Sequence, residues 1–177
     1  MIFRCILRAV AALVTTYRNA LLRNTRQREH AMPRDSHSDD DIRNILTSVK
    51  TIAMLGASPN ADRPSNRVLR FLLSQGYTVY PVNPGQAGKE IHGAKVYARL
   101  ADVPQPVDMV EVFRASEFVA QVVDDVLALP QKPKVIWTQL EVYDDKAAAK
   151  AEAAGITVVM DRCPAIEIPR LGLAPKK

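Results

Sequence analysis

Short apolar runs alternate with helical stretches along most of this chain, and no other feature limits its fold so tightly. The runs are Thr51–Leu55, Tyr77–Val82, Val107–Phe113, Lys134–Thr138 and Thr157–Met160, and a further short strand is expected near Lys95–Tyr97. Between the first two, Val68, Leu69, Leu72 and Leu73 recur at helical spacing from Pro64 to Gln75, and two more helices are expected over Ser116–Leu129 and Asp144–Ala154. Ser38, followed by Asp39, Asp40 and Asp41, caps an opening helix that carries Ile42, Ile45, Leu46 and Val49. Gly76 and Gly155 stand where a helix ends on a left-handed residue. Strands separated by helices pair in parallel through right-handed crossovers, so the expectation is an α/β fold: one doubly wound domain with a mostly parallel sheet of about five strands, covered on both faces. Ligands of such sheets bind outside the carboxyl ends of the strands, where the loops starting at Gly56, Asn83, Arg114, Gln139 and Asp161 converge.

Charge at first points elsewhere. The chain has 177 residues and a net charge of +5, which suits a polyanionic partner. That charge is confined to the first 31 residues, which hold six Arg, no Lys and the single acid Glu29, while the rest of the chain balances 18 basic against 18 acidic residues. A nucleic-acid partner therefore loses its support. Residues 1–31 form a basic leader in which Ile2, Phe3, Ile6, Leu7, Val10, Leu13, Val14, Tyr17 and Leu21 recur at helical steps. Arg4 and Arg8 interrupt what would be the apolar core of a secretory signal. Two readings stay open: an amphipathic targeting or interfacial helix, or a functional chain that begins at Met32, so that the domain spans residues 32–177. No stretch reaches the roughly 18 apolar residues of an integral membrane span. Cys5 and Cys163 make neither a disulfide framework nor a zinc spacing, and a reducing cytoplasm is the expected compartment.

The loop after the first strand narrows the ligand class. It reads Gly56-Ala-Ser-Pro-Asn-Ala-Asp-Arg-Pro-Ser65 and leads into a helix, whose free N–H groups and dipole favour phosphate. Only Gly56 is a glycine, and the second strand ends on Val82-Asn83-Pro84 without the acid that holds a dinucleotide ribose, so an NAD(P)-dependent oxidoreductase is the weaker alternative. Ser58, Ser65 and the guanidinium fork of Arg63 remain as phosphate donors.

Six segments in order resemble one family: Ile52-Ala-Met-Leu-Gly-Ala-Ser58, Arg63-Pro-Ser65, Tyr80-Pro-Val-Asn-Pro84, Val107-Asp-Met-Val-Glu-Val-Phe-Arg114, Ile136-Trp-Thr-Gln-Leu140 and Val159-Met-Asp-Arg-Cys-Pro164. They are similar to the small bacterial CoA-binding domain proteins, stand-alone relatives of the CoA-binding domain in the succinyl-CoA synthetase α subunit. The resemblance runs from about Asp39 to Gly172 and implies a Rossmann-like domain that binds coenzyme A or acyl-CoA as a small-molecule ligand. By that likeness Gly56, Ala57, Ser58, Arg63 and Ser65 cradle phosphates, Asn83 and Pro84 border the adenosine part, and Phe113, Arg114 and Gln139 line the rest. Arg67 and Lys89 add local positive charge, although Asn66 and Arg67 read more readily as first-turn residues facing water.

The synthetase's chemistry depends on a second domain with a phosphorylated histidine and on a nucleotide-grasping partner subunit. Here His30, His37 and His92 fall in the leader, the polar start and the Gly-rich loop, so the expectation is a binding protein without evident catalysis of its own. Two chemical readings stand beside it. Cys163, next to Asp161 and Arg162 at the ligand edge, is either an inert buried thiol or a thiol activated by a nearby cation that pairs reversibly with CoA in a redox-responsive way. Glu111, Glu141 and Asp161 are carboxylates near strand ends, but no spacing pairs them for acid–base work. An open sheet edge leaves monomer and homodimer both open, and no protein partner is legible.

Overall fold

The structure, a computed structural model, describes residues 36–176. The leader and residues 32–35 of the polar start lie outside the described residues. Five strands form one sheet in the order β2-β1-β5-β6-β7, every pair parallel: β1 (Thr51–Leu55), β2 (Thr78–Val82), β5 (Met109–Val112), β6 (Val135–Thr138) and β7 (Thr157–Val159). Helices cover both faces. The pleat sends Ile52, Met54, Met109, Trp137 and Val159 to one face, under α1 (Asp39–Ser48), α2 (Pro64–Ser74) and α5 (Pro164–Arg170). Ala53, Leu55, Val110, Val112, Ile136 and Val158 meet the opposite face, under α3 (Val119–Leu127) and α4 (Asp145–Ala153). Strands buried on both sides need near-continuous apolar runs, which is what the sequence supplies. Leu69 and Leu72 of α2 are fully buried against the first face, so truncating either to Ala costs roughly 2–5 kcal/mol.

Local chemistry explains where the elements start and stop. Ser38 and Asp41 form a reciprocal capping box at α1, with Ser38 N donating to the Asp41 carboxylate at 2.9 Å and Asp41 N donating to Ser38 Oγ at 3.2 Å. Pro64 occupies the first turn of α2, and Asp144 caps α4 by accepting from Lys146 N and Ala147 N. Arg170 of α5 pairs with both Asp39 of α1 and Glu167, tying the two helices together.

Three expectations change. The strand near Lys95–Tyr97 is not a strand of the main sheet. Ala94–Lys95 (β4) instead pairs antiparallel with Glu90–Ile91 (β3), turning on His92 and Gly93 at φ of 51° and 79°, and Tyr97 reaches the sheet through one isolated bridge to Val82. Burial decides this: Ile91 and Val96 insert into the α2 side of the core, so the hairpin folds onto that core and does not extend the sheet edge. The helix expected from Ser116 starts as a 3₁₀ turn, Ser116–Phe118, before α3. The seven-residue α5 was not anticipated, though Pro164 at its first position was a signal for it.

The order places β1 beside β5, with the following chain going to α2 on one face and to α3 on the other. A crevice opens between diverging loops at such a switch point.

Candidate functional site

The crevice begins at Gly56. Its N–H donates to Val82 O at 3.0 Å, its φ is +85°, and a Cβ there would stand 2.3 Å from Phe113 O. The chain leaving β1 thus lies directly across the end of β5, a path that only glycine allows. Beyond it, Ala57 is buried in the core and its carbonyl accepts from Asn83 Nδ2 at 2.7 Å. Ser58 Oγ accepts from Asn60 N at 3.2 Å, and Ser58 O accepts from Asn66 Nδ2 at 2.9 Å. Asn66 is buried and its Oδ1 meets His92 Nε2 at 2.9 Å. Asn66 therefore clamps the loop, contrary to the expectation that it faces water; the two hydrogen bonds satisfy a carboxamide that burial would otherwise penalise.

A cavity of about 820 Å³ lies beyond this loop, on the face covered by α2 and α5. Gly56, Ser58, Arg63, Ser65, Phe113, Arg114, Gln139 and Cys163 all line it, so eight of the eleven residues singled out by the sequence meet in one space. Arg63 caps α2 without using its side chain, and Arg67, also on the wall, donates to Asp62 O at 3.2 Å. Three arginines and no carboxylate line the cavity, which makes its potential positive inside a domain of balanced charge. The remaining wall is apolar and includes Phe71, Val142, Ala165, and the exposed Leu140 and Ile166. The sequence did not single out these five, because their part in the wall depends on how loops from distant strands converge.

Asn83 and Pro84 lie in an adjoining compartment of about 260 Å³ that shares Gly56, Phe113 and Arg114 with the first. Asn83 is committed at both ends, since its Oδ1 also accepts from Gly85 N at 2.9 Å. Ala57 lines neither space, its side chain being part of the core. Lys89 donates to Gln86 Oε1 at 3.1 Å and is not on the walls of these two compartments.

Gln139 is nearly buried, and its Nε2 donates to Glu111 Oε1 at 2.7 Å. By strand alternation Glu111 sits one pleat below Phe113, directly under the cavity floor. Burial pushes its carboxyl up to about 8, with the Gln139 bond opposing, so the protonated form of Glu111 predominates near neutral pH. Glu141 and Asp161 do something different: Glu141 N donates to Asp161 Oδ1 at 2.6 Å, joining two left-handed residues, and neither lines the cavity. The three carboxylates form no acid–base set.

Cys163 is 6% exposed on the cavity wall, and burial pushes its thiol up, in the direction of the inert of the two readings. The cation beside it in sequence, Arg162, turns away to Glu167 at 3.6 Å and to His37 O at 3.1 Å. Among the described residues no group of three potential metal ligands occurs, and no helix is long and apolar enough to cross a membrane.

A family model described as a CoA binding domain matches residues 50–169. Over 126 residues the chain is 34% identical to the uncharacterized protein YneT of Bacillus subtilis, covering 71% of this chain and 90% of that protein. It is 32% identical over 84 residues to the α subunit of an ADP-forming acetate–CoA ligase of Pyrococcus furiosus, covering 45% of this chain but 18% of that subunit. Among solved structures, a hypothetical protein from Pyrococcus horikoshii superposes with a TM-score of 0.74 at 38% identity, over 80% of this chain and 97% of that one. A dinucleotide-forming acetyl-coenzyme A synthetase of Korarchaeum cryptofilum gives 0.51 at 28%, over 62% and 25%.

Proposed function

Because this chain belongs to the CoA-binding domain family, we propose that it binds coenzyme A in the cavity at the carboxyl ends of β1, β5 and β6. The observation that carries the reading is the set of three arginines on the cavity wall, with no carboxylate lining it. A multiply charged anion requires that imbalance. Ser58, Arg63 and Ser65 hold phosphates, Asn83 and Pro84 border the adenosine, and the chain of the ligand runs past Phe113, Arg114 and Gln139 toward Cys163. The apolar end formed by Phe71, Leu140 and Ile166 suits a short acyl group, so acyl-CoA is within the ligand class. A volume of about 820 Å³ lies in the range of roughly 300–1,000 Å³ usual for small-molecule sites.

The ligase subunit and the synthetase are named for acetate and CoA chemistry, which supports CoA over a nicotinamide cofactor here. The domain acts as a binding module in this reading, with the Cys163 thiol protonated and the Glu111 carboxyl neutral and shut away. Calorimetric titration of the full chain with CoA, acetyl-CoA, NAD, NADP and ATP tests the proposal. Saturable heat with CoA or acetyl-CoA is expected, and binding of NAD alone overturns it.

A further inference from the structure

Phe118 is one of three exposed large apolar residues among the described residues. It stands at the end of the 3₁₀ turn ahead of α3, whose apolar stripe Val119, Val122, Val123 and Val126 packs into the core, yet Phe118 itself is 41% exposed. It lines the smaller compartment with Asn83, Pro84 and Arg114, at the side of the crevice where β2 and β5 end. The Arg114 guanidinium lies over the ring, 4.8 Å from its centroid. Arg114 in turn is on the wall of both compartments. A stacked guanidinium keeps its in-plane N–H fork free for an anion.

We infer that Phe118 is the stacking platform for the adenine base of the bound nucleotide, and that the same ring fixes Arg114 at the junction where the phosphates pass between the two compartments. The inference rests on the proposed CoA binding and names the residue that holds its purine end. Hydrogen-bond readout is a poor alternative there, since the Asn83 carboxamide is spent on Ala57 and Gly85. An exposed aromatic face beside a cation is the usual way to hold a base whose edge is not read.

The test uses the full chain and three probes: CoA, pantetheine phosphate, which lacks the adenosine, and ADP, which lacks the tail. Phe118→Ala is expected to weaken CoA and ADP about tenfold, the loss of one base–aromatic stack, and to leave pantetheine phosphate unchanged. Phe118→Trp is expected to stay near wild type for all three. Unchanged CoA binding in Phe118→Ala overturns the inference, as does an equal loss of CoA and pantetheine phosphate. So does a change of oligomeric state on size exclusion with affinities intact, which would make the ring a subunit contact. Wild type that binds ADP but not CoA, with the same Phe118→Ala loss, sinks the CoA reading and leaves the platform standing; wild type that binds neither sinks both.

Discussion

Gln139 Nε2 donates to Glu111 Oε1 at 2.7 Å, while the second oxygen of that buried carboxyl has no hydrogen-bond partner. A carboxylate could not be left so poorly solvated, and the group keeps its proton. In the unfolded chain Glu111 ionises near its ordinary value of 4.5, and in the fold only near 8, so unfolding releases a proton between those values. The stabilising contribution is therefore complete below about pH 4.5 and is lost as pH rises toward 8. Glu111→Gln, neutral at every pH, is expected to remove a decline on the order of 1 kcal/mol per pH unit from the wild-type urea stability profile. Parallel profiles for the two proteins between pH 5 and 8 would contradict this.

Gly56→Ala meets two obstacles at once, a φ of +85° and a Cβ 2.3 Å from Phe113 O. The left-handed backbone alone costs roughly 1–2 kcal/mol, and the close approach adds to it by forcing β1's exit away from β5. Chemical denaturation is expected to show a loss above that figure, with CoA affinity falling in parallel. A variant as stable as wild type would mean that the loop has room to move.

Arg63→Ala separates binding from folding. The side chain is exposed and makes no capping bond, so thermal stability is expected to stay near wild type. A charge-assisted bond to phosphate contributes roughly 1.5–3 kcal/mol, and calorimetry is expected to show CoA affinity at least about tenfold weaker. Equal affinities would place the phosphates away from Arg63.

Cys163 is held as a thiol by burial, and the thiolate is the species that reacts. Alkylation by iodoacetamide at neutral pH is expected to run slower than for an exposed free cysteine, to accelerate only in alkaline solution, and to slow further with CoA bound. Rapid labelling at pH 7 would restore the activated-thiol reading.

Most of the sheet was legible because parallel strands buried on both faces leave an unmistakable apolar run. The run Val107–Phe113 appears as β5 even though it contains Glu111. The hairpin at Glu90–Lys95 was misread because two-residue strands carry almost no periodic signal, and their pairing was settled by where Ile91 and Val96 could be buried. Within the site, Gly56, Ser58, Arg63 and Ser65 were readable from one loop. Phe71, Phe118, Leu140 and Ile166 were not, since each comes from a different element and looks like an ordinary core residue until the fold leaves it facing a cavity.

By itself the sequence determined the alternation of strand and helix, the glycine at the first turn, and the confinement of the net charge to the first 31 residues, because each is written in neighbouring residues. Only the tertiary structure decided which way the charged groups face. Arg162, adjacent to Cys163 in the chain, points to Glu167 and His37, whereas Arg63 and Arg114, about 50 positions apart, line one cavity. Electrostatic influence depends on distance and desolvation in space, and neither is set by separation along the chain.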